Sequence, residues 1–356
     1  MQLPALEKWL FSQQTQRVLR TVSRHGRAAK LLANGFLDKY HPLLVQIVPM
    51  RRCNLACTYC NEYDAVSQPV AWSAMSERID RLAALRTACV TISGGEPLLH
   101  PELDQFLLRI RARKMIAGLI TNGFLLSPER IKRLSDAGLE YLQISIDNVL
   151  PDSVSKKSLK TLDRKLVHLS EHARFHVNIN SVVYAGMRNP QDPLLIARRA
   201  RELGFSTSVG VLHDDTGQLQ PLNDSESAVF HEVVRTGQGI YTRINDFQKN
   251  LIVGKPNNWH CRAGARYLYV CEDGRVHYCS QKRGTPGIPL ADYSARDIRR
   301  EFETQKDCAP FCTIGCVHRA SALDAVAPER LVRWLRRPAG TGNTVVNTKQ
   351  TANTVL

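Results

Sequence analysis

From Leu43 to Leu212 short apolar runs alternate with amphipathic stretches, and this alternation restricts the fold more than any other feature of the chain. Strands are predicted at Leu43–Pro49, Cys89–Ser93, Ala117–Thr121, Tyr141–Asp147, Phe175–Val183 and Thr207–Leu212. Helices are predicted at Ser73–Arg86, Pro101–Lys114, Pro128–Ala137, Leu159–Ala173 and Pro193–Leu203. Strands that alternate with helices imply an α/β fold with a parallel sheet or barrel, because a parallel pair needs a crossover that returns over the sheet. Chemistry on such a fold belongs at the C-terminal ends of the strands. A helical segment from Leu222 to about Lys255 is expected to close the barrel, and Gly254-Lys255-Pro256-Asn257-Asn258 reads as a linker to a smaller second unit.

The first strand runs straight into Arg51-Arg52-Cys53-Asn54-Leu55-Ala56-Cys57-Thr58-Tyr59-Cys60. Three closely spaced thiols form a cluster site rather than a disulfide pattern. An iron–sulfur cube ordinarily takes four cysteine ligands, so three with no fourth nearby leave one iron open to another ligand. Zinc also accepts clustered cysteines, but it would need a fourth ligand close by. The second strand ends in Ser93-Gly94-Gly95-Glu96-Pro97, where two glycines allow the backbone to approach a ligand closely.

The C-x3-C-x2-C spacing, with an aromatic before the last cysteine and a Gly-Gly-Glu-Pro one strand later, resembles the radical S-adenosylmethionine (SAM) superfamily. The resemblance implies a partial (β/α)6 barrel with a small cysteine-rich C-terminal extension. It also implies a [4Fe-4S] cluster on Cys53, Cys57 and Cys60, whose unique iron chelates SAM and whose electron cleaves it to a 5′-deoxyadenosyl radical. Tyr59 would pack against the adenine, Gly94, Gly95 and Glu96 would bind the methionyl ammonium, and Ser145 would face the SAM carboxylate or ribose. Asn122 would shape the same rim, and Asn180 would contact the ribose. Asn178 and Asn180 alternate onto one face of the fifth strand, where a polar pair inside a barrel must be hydrogen-bonded. His213, with Asp214 and Asp215, stands where a substrate could be touched and is the candidate catalytic residue.

Beyond the linker come Cys261, Cys271, Gly274-Arg275-Val276-His277-Tyr278-Cys279, Cys308, Cys312 and Cys316. This pattern resembles a SPASM or shorter twitch extension, which implies auxiliary iron–sulfur clusters. The Asp273-Gly274 pair favours a hairpin turn that brings Cys279 back toward Cys261. A two-cluster extension has more cysteines than this, so one auxiliary [4Fe-4S] cluster is expected, on Cys261, Cys279 and two of Cys308, Cys312 and Cys316, with His318 or substrate beside the fifth thiol. Structural zinc is the alternative there. Cys89 and Cys271 read as buried apolar residues.

The formal charge of +15 is concentrated at the ends. Residues 1–42 hold seven Lys and Arg against two acids, and residues 317–356 hold six against two. In the first arm Leu3, Leu6, Trp9, Leu10, Phe11, Leu19, Val22, Leu31 and Leu32 are mixed with Arg17, Arg20, Arg24, Arg27 and Lys30. That mixture suits either an amphipathic helix on an anionic membrane surface or a helix capping the barrel. Nucleic acid fits less well, because aromatics are not interleaved with the charges. The expected organisation is therefore a basic arm (1–42), a partial barrel (43–255), a cysteine-rich unit (256–326) and a basic, structureless tail (327–356).

Ten cysteines without a signal-peptide pattern argue for a reducing cytoplasm, with peripheral membrane association through the arm. No apolar run reaches the about 18 residues a membrane span needs. The activity expected is radical-based hydrogen abstraction or addition on a lipid or polyprenyl-type, peptide or small-metabolite substrate, with a flavodoxin or ferredoxin as electron donor. A non-catalytic iron–sulfur carrier or scaffold is the rival reading.

Overall fold

The computed structural model describes residues 26–27, 33–213, 218–237 and 247–325. Most of the basic N-terminal arm, Asp214, Asp215 and the tail lie outside the described residues. The six predicted strands are present as β1 (Leu44–Ile47), β2 (Cys89–Ile92), β3 (Ile116–Thr121), β4 (Tyr141–Ser145), β5 (His176–Val183) and β6 (Ser206–Val211). Helices α1 (Trp72–Ala84), α2 (Leu103–Ala112), α3 (Pro128–Asp136), α4 (Leu159–His172) and α5 (Asp192–Glu202) follow the first five in turn. All six strands pair in parallel with their sequence neighbours, each joined to the next by a helical crossover.

The strand pattern has a simple physical origin. In β1 and β2 partly exposed residues alternate with fully buried ones. Val45, Ile47, Val90 and Ile92 turn outward and pack with Met75, Ile79 and Leu82 of α1 and Phe106, Leu107 and Ile110 of α2. Each fully buried side chain of this kind contributes about 1.5–3 kcal/mol. Helix starts are set locally: Ser127 accepts from the Arg130 N–H ahead of Pro128, and Asn223 forms a capping box with Glu226 at the head of α6 (Asp224–Thr236).

Two features differ from expectation. The segment expected to close the barrel is α6, packed on β6 and α5, followed by a separate helical turn at Gln248–Leu251, and the sheet stays open. The cysteine-rich unit begins by extending the barrel sheet. β7 (Tyr267–Val270) lies parallel to β1 in the register Leu44 to Tyr267 and Ile47 to Val270. The expected hairpin at Asp273-Gly274 then leads into antiparallel β8 (Arg275–His277) and β9 (Pro286–Pro289). The order is β6-β5-β4-β3-β2-β1-β7-β8-β9. Helix α7 (Ala295–Glu303) follows, and α8 (Gly315–Ala325) packs against β7. Buried Arg266 binds the Asp324 carboxylate at 2.6 Å and the carbonyls of Gly35 and Asp38 at 2.6 and 2.9 Å, which pins residues 35–38 to the foot of β7 and α8.

Candidate functional site

The cysteine loop leaves the C-terminal end of β1 and is closed at its base by the Asp64 N–H, which donates to the Arg51 carbonyl at 3.1 Å. Gly94 and Gly95 lie directly behind it. A Cβ on Gly95 would sit 2.2 Å from the carbonyl oxygens of both Arg51 and Arg52, and Gly94 holds φ +120° with its Cβ direction aimed at the Met50 carbonyl. The close approach these glycines allow is thus to the chain's own cysteine loop, reinforced by bonds from Gly95 N–H to Met50 O (3.2 Å) and Glu96 N–H to Arg52 O (3.0 Å).

The Glu96 side chain is fully buried and spent on the scaffold. It accepts from Leu98 N–H (2.9 Å), the Thr121 hydroxyl (2.6 Å) and Asn122 N–H (2.8 Å), joining the end of β2 to the end of β3. Burial raises its pKa, and these three bonds oppose that rise. Asn122, held in this way, donates from Nδ2 to Asn54 Oδ1 at 2.8 Å and to Cys53 Sγ at 3.7 Å. The Leu55 N–H reaches the same sulfur at 3.4 Å. Donors aimed at a thiol stabilise its ionised, ligating form, and they tune a cluster's potential when one is bound.

A second support was not legible as a site in the sequence. Asp147, just past β4 and 2 % exposed, takes the Tyr59 hydroxyl at 2.5 Å, the Ser155 hydroxyl at 2.6 Å and the Lys157 ammonium at 3.1 Å, all on Oδ2. Its Oδ1 is buried and has no protein partner. Ser155 also reaches Cys57 Sγ at 3.6 Å. Burial, then the Asp147 charge, pushes the Tyr59 phenol well above its usual range. Burial works against the Lys157 ammonium, but Asp147 and Tyr59 outweigh it and hold it protonated.

The inner faces of the strands carry polar residues in a hydrogen-bonded run. His176 meets the Ser206 hydroxyl at 2.8 Å, which donates to Asn178 at 3.0 Å; Asn178 donates to Ser208 at 2.8 Å, and Ser208 to Asn180 at 2.8 Å. Ser145 pairs in register with Asn180 across β4 and β5. Above this run opens a cavity of about 1150 Å³. Tyr59, Cys60, Asn180 and His213 line one part of it, and Cys279, Cys308, Cys312 and Cys316 line another. His213 Nδ1 lies 3.4 Å from both Gln281 and Thr313, so it stands between the end of β6 and the C-terminal cysteines.

The C-terminal thiols are close neighbours: Cys279, Cys308, Cys312 and Cys316 line the cavity, and Cys261 packs in the same buried cluster as Cys279 and Cys316. Burial pushes the Cys312 thiol well above its usual range, and raises that of Cys316 at the start of α8. His318 is stacked between Phe247 and Trp259, with ring centroids 3.7 and 3.6 Å away, and its Nε2 donates to the Cys312 carbonyl at 3.1 Å. Burial lowers its pKa to about 4. It therefore supports the backbone of Cys312. Cys271 is buried, as expected. None of the ten cysteines is joined in a disulfide.

The sequence pattern of the Radical SAM superfamily matches residues 47–215, which span the cysteine loop to the end of β6. GTP 3′,8-cyclase of Aquifex aeolicus (strain VF5) is 31% identical over 272 residues, 68% of this chain and 84% of that protein. PqqA peptide cyclase of Xanthomonas campestris pv. campestris (strain B100) is 33% identical over 119 residues, covering 31% of this chain and 30% of that one. Among solved structures, Streptococcus suis SuiB bound to S-adenosylmethionine superposes with a TM-score of 0.56 at 15% identity, over 82% of this chain and 75% of SuiB. Among the described residues no helix is long and apolar enough to cross a membrane. A parallel sheet that delivers a three-cysteine loop, the matching sequence pattern and a relative aligned over most of its length lead to one conclusion: the chain belongs to the radical SAM superfamily and is a radical SAM enzyme, with a [4Fe-4S] cluster and SAM as its cofactors.

Proposed function

We propose that Cys53, Cys57 and Cys60 hold the SAM-binding cluster, that Cys261, Cys279, Cys308 and Cys312 hold one auxiliary cluster, and that a polar substrate is modified in the cavity between them. The observation that carries this reading is the shared cavity, which Cys60 lines together with Cys279, Cys308 and Cys312. When bound, cluster and SAM supply reductive carbon–sulfur cleavage and hydrogen abstraction.

The chain's own groups have distinct parts in this reading. Asn122 and the Leu55 N–H steady the Cys53 sulfur, and Ser155 steadies Cys57. Tyr59, fixed by Asp147 and Lys157, presents its ring to the cavity, where SAM adenine would pack. Asn180 stands at the ribose position, and Ser145 and the backbone of Gly94 and Gly95 at the methionyl end. His213, together with Gln281 and Thr313, is placed to meet substrate. The similarity to a GTP 3′,8-cyclase and to a PqqA peptide cyclase favours a nucleotide-like metabolite or a peptide, and a cavity lined with Gln46, Gln143 and Gln248 suits either.

The test is reductive cleavage of SAM by anaerobic, dithionite-reduced protein. 5′-Deoxyadenosine is expected from the wild type and not from Cys57→Ala. No nucleoside from an iron-replete wild type, with an unchanged redox signal in Cys57→Ala, would return the protein to the electron carriers.

A further inference from the structure

The two cysteine loops are tied to each other by side chains that ligate nothing. Asn61, next to Cys60, donates from Nδ2 to the carbonyl of Ser280, next to Cys279, at 3.4 Å. Arg283 donates from Nη1 to the Asn61 carbonyl at 3.0 Å and from Nη2 to Glu62 Oε2 at 2.7 Å. The Tyr269 hydroxyl, rising from β7, donates to the same Glu62 oxygen and lies 3.3 Å from Arg283 Nη2. The Glu62 and Arg283 side chains are 17% and 25% exposed, so their bond is partly sheltered from the water and salt that weaken surface pairs.

Each part of the cysteine loop has its own anchor. The Cys53 end is held by Asn122, and the middle by Asp147 and by Thr58 N–H to Val154 O at 3.2 Å. The Cys60 end is held locally by Arg51, which donates to the Asn61 and Glu62 carbonyls at 3.3 Å each, and from across the molecule by Ser280, Arg283 and Tyr269. We propose that Arg283 is a positioning residue for the N-terminal thiol site: its fork grips a carbonyl and a carboxylate of the Cys60 end at once and adds to the hold of Arg51, so that the full rigidity of that site depends on the β7–β9 unit being folded against it. The inference rests on the assignment of Cys53, Cys57 and Cys60 as cluster ligands. A planar guanidinium can hold two acceptors at fixed angles, whereas an ammonium reaches them as a point charge.

The experiment is hydrogen exchange on anaerobically purified, cluster-bearing protein, comparing wild type, Arg283→Gln, Arg283→Lys and Tyr269→Phe. In Arg283→Gln, amides of residues 53–64 are expected to exchange at least about tenfold faster while β1 and β7 keep their protection, with Arg283→Lys intermediate and Tyr269→Phe smaller in the same direction. The paramagnetic resonance spectrum of the reduced SAM-binding cluster is expected to broaden in step. Unchanged exchange at 53–64 overturns the proposal, and so does equal loosening of residues 267–290, since Arg283 would then be merely a core group of the extension. These readouts do not depend on SAM cleavage, so failure of the wild type to form 5′-deoxyadenosine would count against the functional reading and leave the exchange result standing.

Discussion

The Lys157 side chain, 13% exposed, is tolerated as an ammonium because Asp147 Oδ2 lies 3.1 Å away and the Tyr59 oxygen 2.5 Å away. Removing one partner of a buried pair strands the other charge, which costs more than the pair itself contributes. Asp147→Asn is therefore expected to destabilise the protein by about 3 kcal/mol in denaturant unfolding. Adding Lys157→Met should restore part of that loss, because no charge is then left unpaired. A double variant whose loss equals the sum of the two single losses would show that the groups do not interact. None of this was visible in the sequence, where Asp147 is the last residue of a predicted strand and Ser155 and Lys157 fall in an aperiodic loop. Contacts made by one side chain to a loop nearly ninety residues earlier leave no periodic trace.

Elements were far more legible, since periodicity reports burial. Met75, Ile79 and Leu82 recur on one face of α1 and are fully buried, and that helix lies within two residues of its prediction at each end. What the pattern omits is how neighbouring elements are fastened. Asp80 of α1 accepts from Arg109 and Arg113 of the α2 segment at 2.5–2.8 Å, and the two guanidiniums hold its carboxyl well below the usual range. A carboxyl whose folded pKa is depressed stabilises the fold above its unfolded pKa of about 4, and that support is lost as pH falls further. The apo-protein's melting temperature should therefore fall less steeply below pH 5 in Asp80→Asn than in wild type. Parallel curves would mean that the staple contributes nothing. The Gly-Gly-Glu turn makes a sharper prediction. Gly95→Ala drives a Cβ into two carbonyl oxygens of the cysteine loop, backbone atoms that cannot swing aside. Iron content is expected to fall to that of a Cys53→Ala/Cys57→Ala/Cys60→Ala variant, with far-ultraviolet circular dichroism unchanged. Full iron content in Gly95→Ala would show that the loop can shift to accommodate it. The two glycines were read in the sequence as room for a ligand, and the side where a Cβ would stand also makes room for the chain's own cysteine loop.

At the scale of the molecule, the decisive contact is the least local one. β7 pairs with β1 across more than two hundred residues of sequence, and a buried Tyr-Leu-Tyr-Val run reveals a strand without naming its partner. That pairing is what sets the C-terminal cysteines over the same cavity as Cys60. Cys308, Cys312 and Cys316 recur every fourth residue and all three line the cavity, with Cys316 at the start of α8. A four-thiol set can hold a cube with every iron protein-ligated, and a fifth thiol then has no iron left to bind. Anaerobic protein should carry about eight irons, falling to about four in the Cys53→Ala/Cys57→Ala/Cys60→Ala variant and to about four in Cys312→Ala. Cys316→Ala should keep all eight, with an unchanged Mössbauer spectrum. If Cys316→Ala loses as much iron as Cys312→Ala, the ligand set includes the helix start and Cys316 is no spare thiol. If the wild type holds only about four irons and the triple variant none, the C-terminal thiols ligate no iron, and the enzyme works with a single cluster beside a cysteine-lined wall.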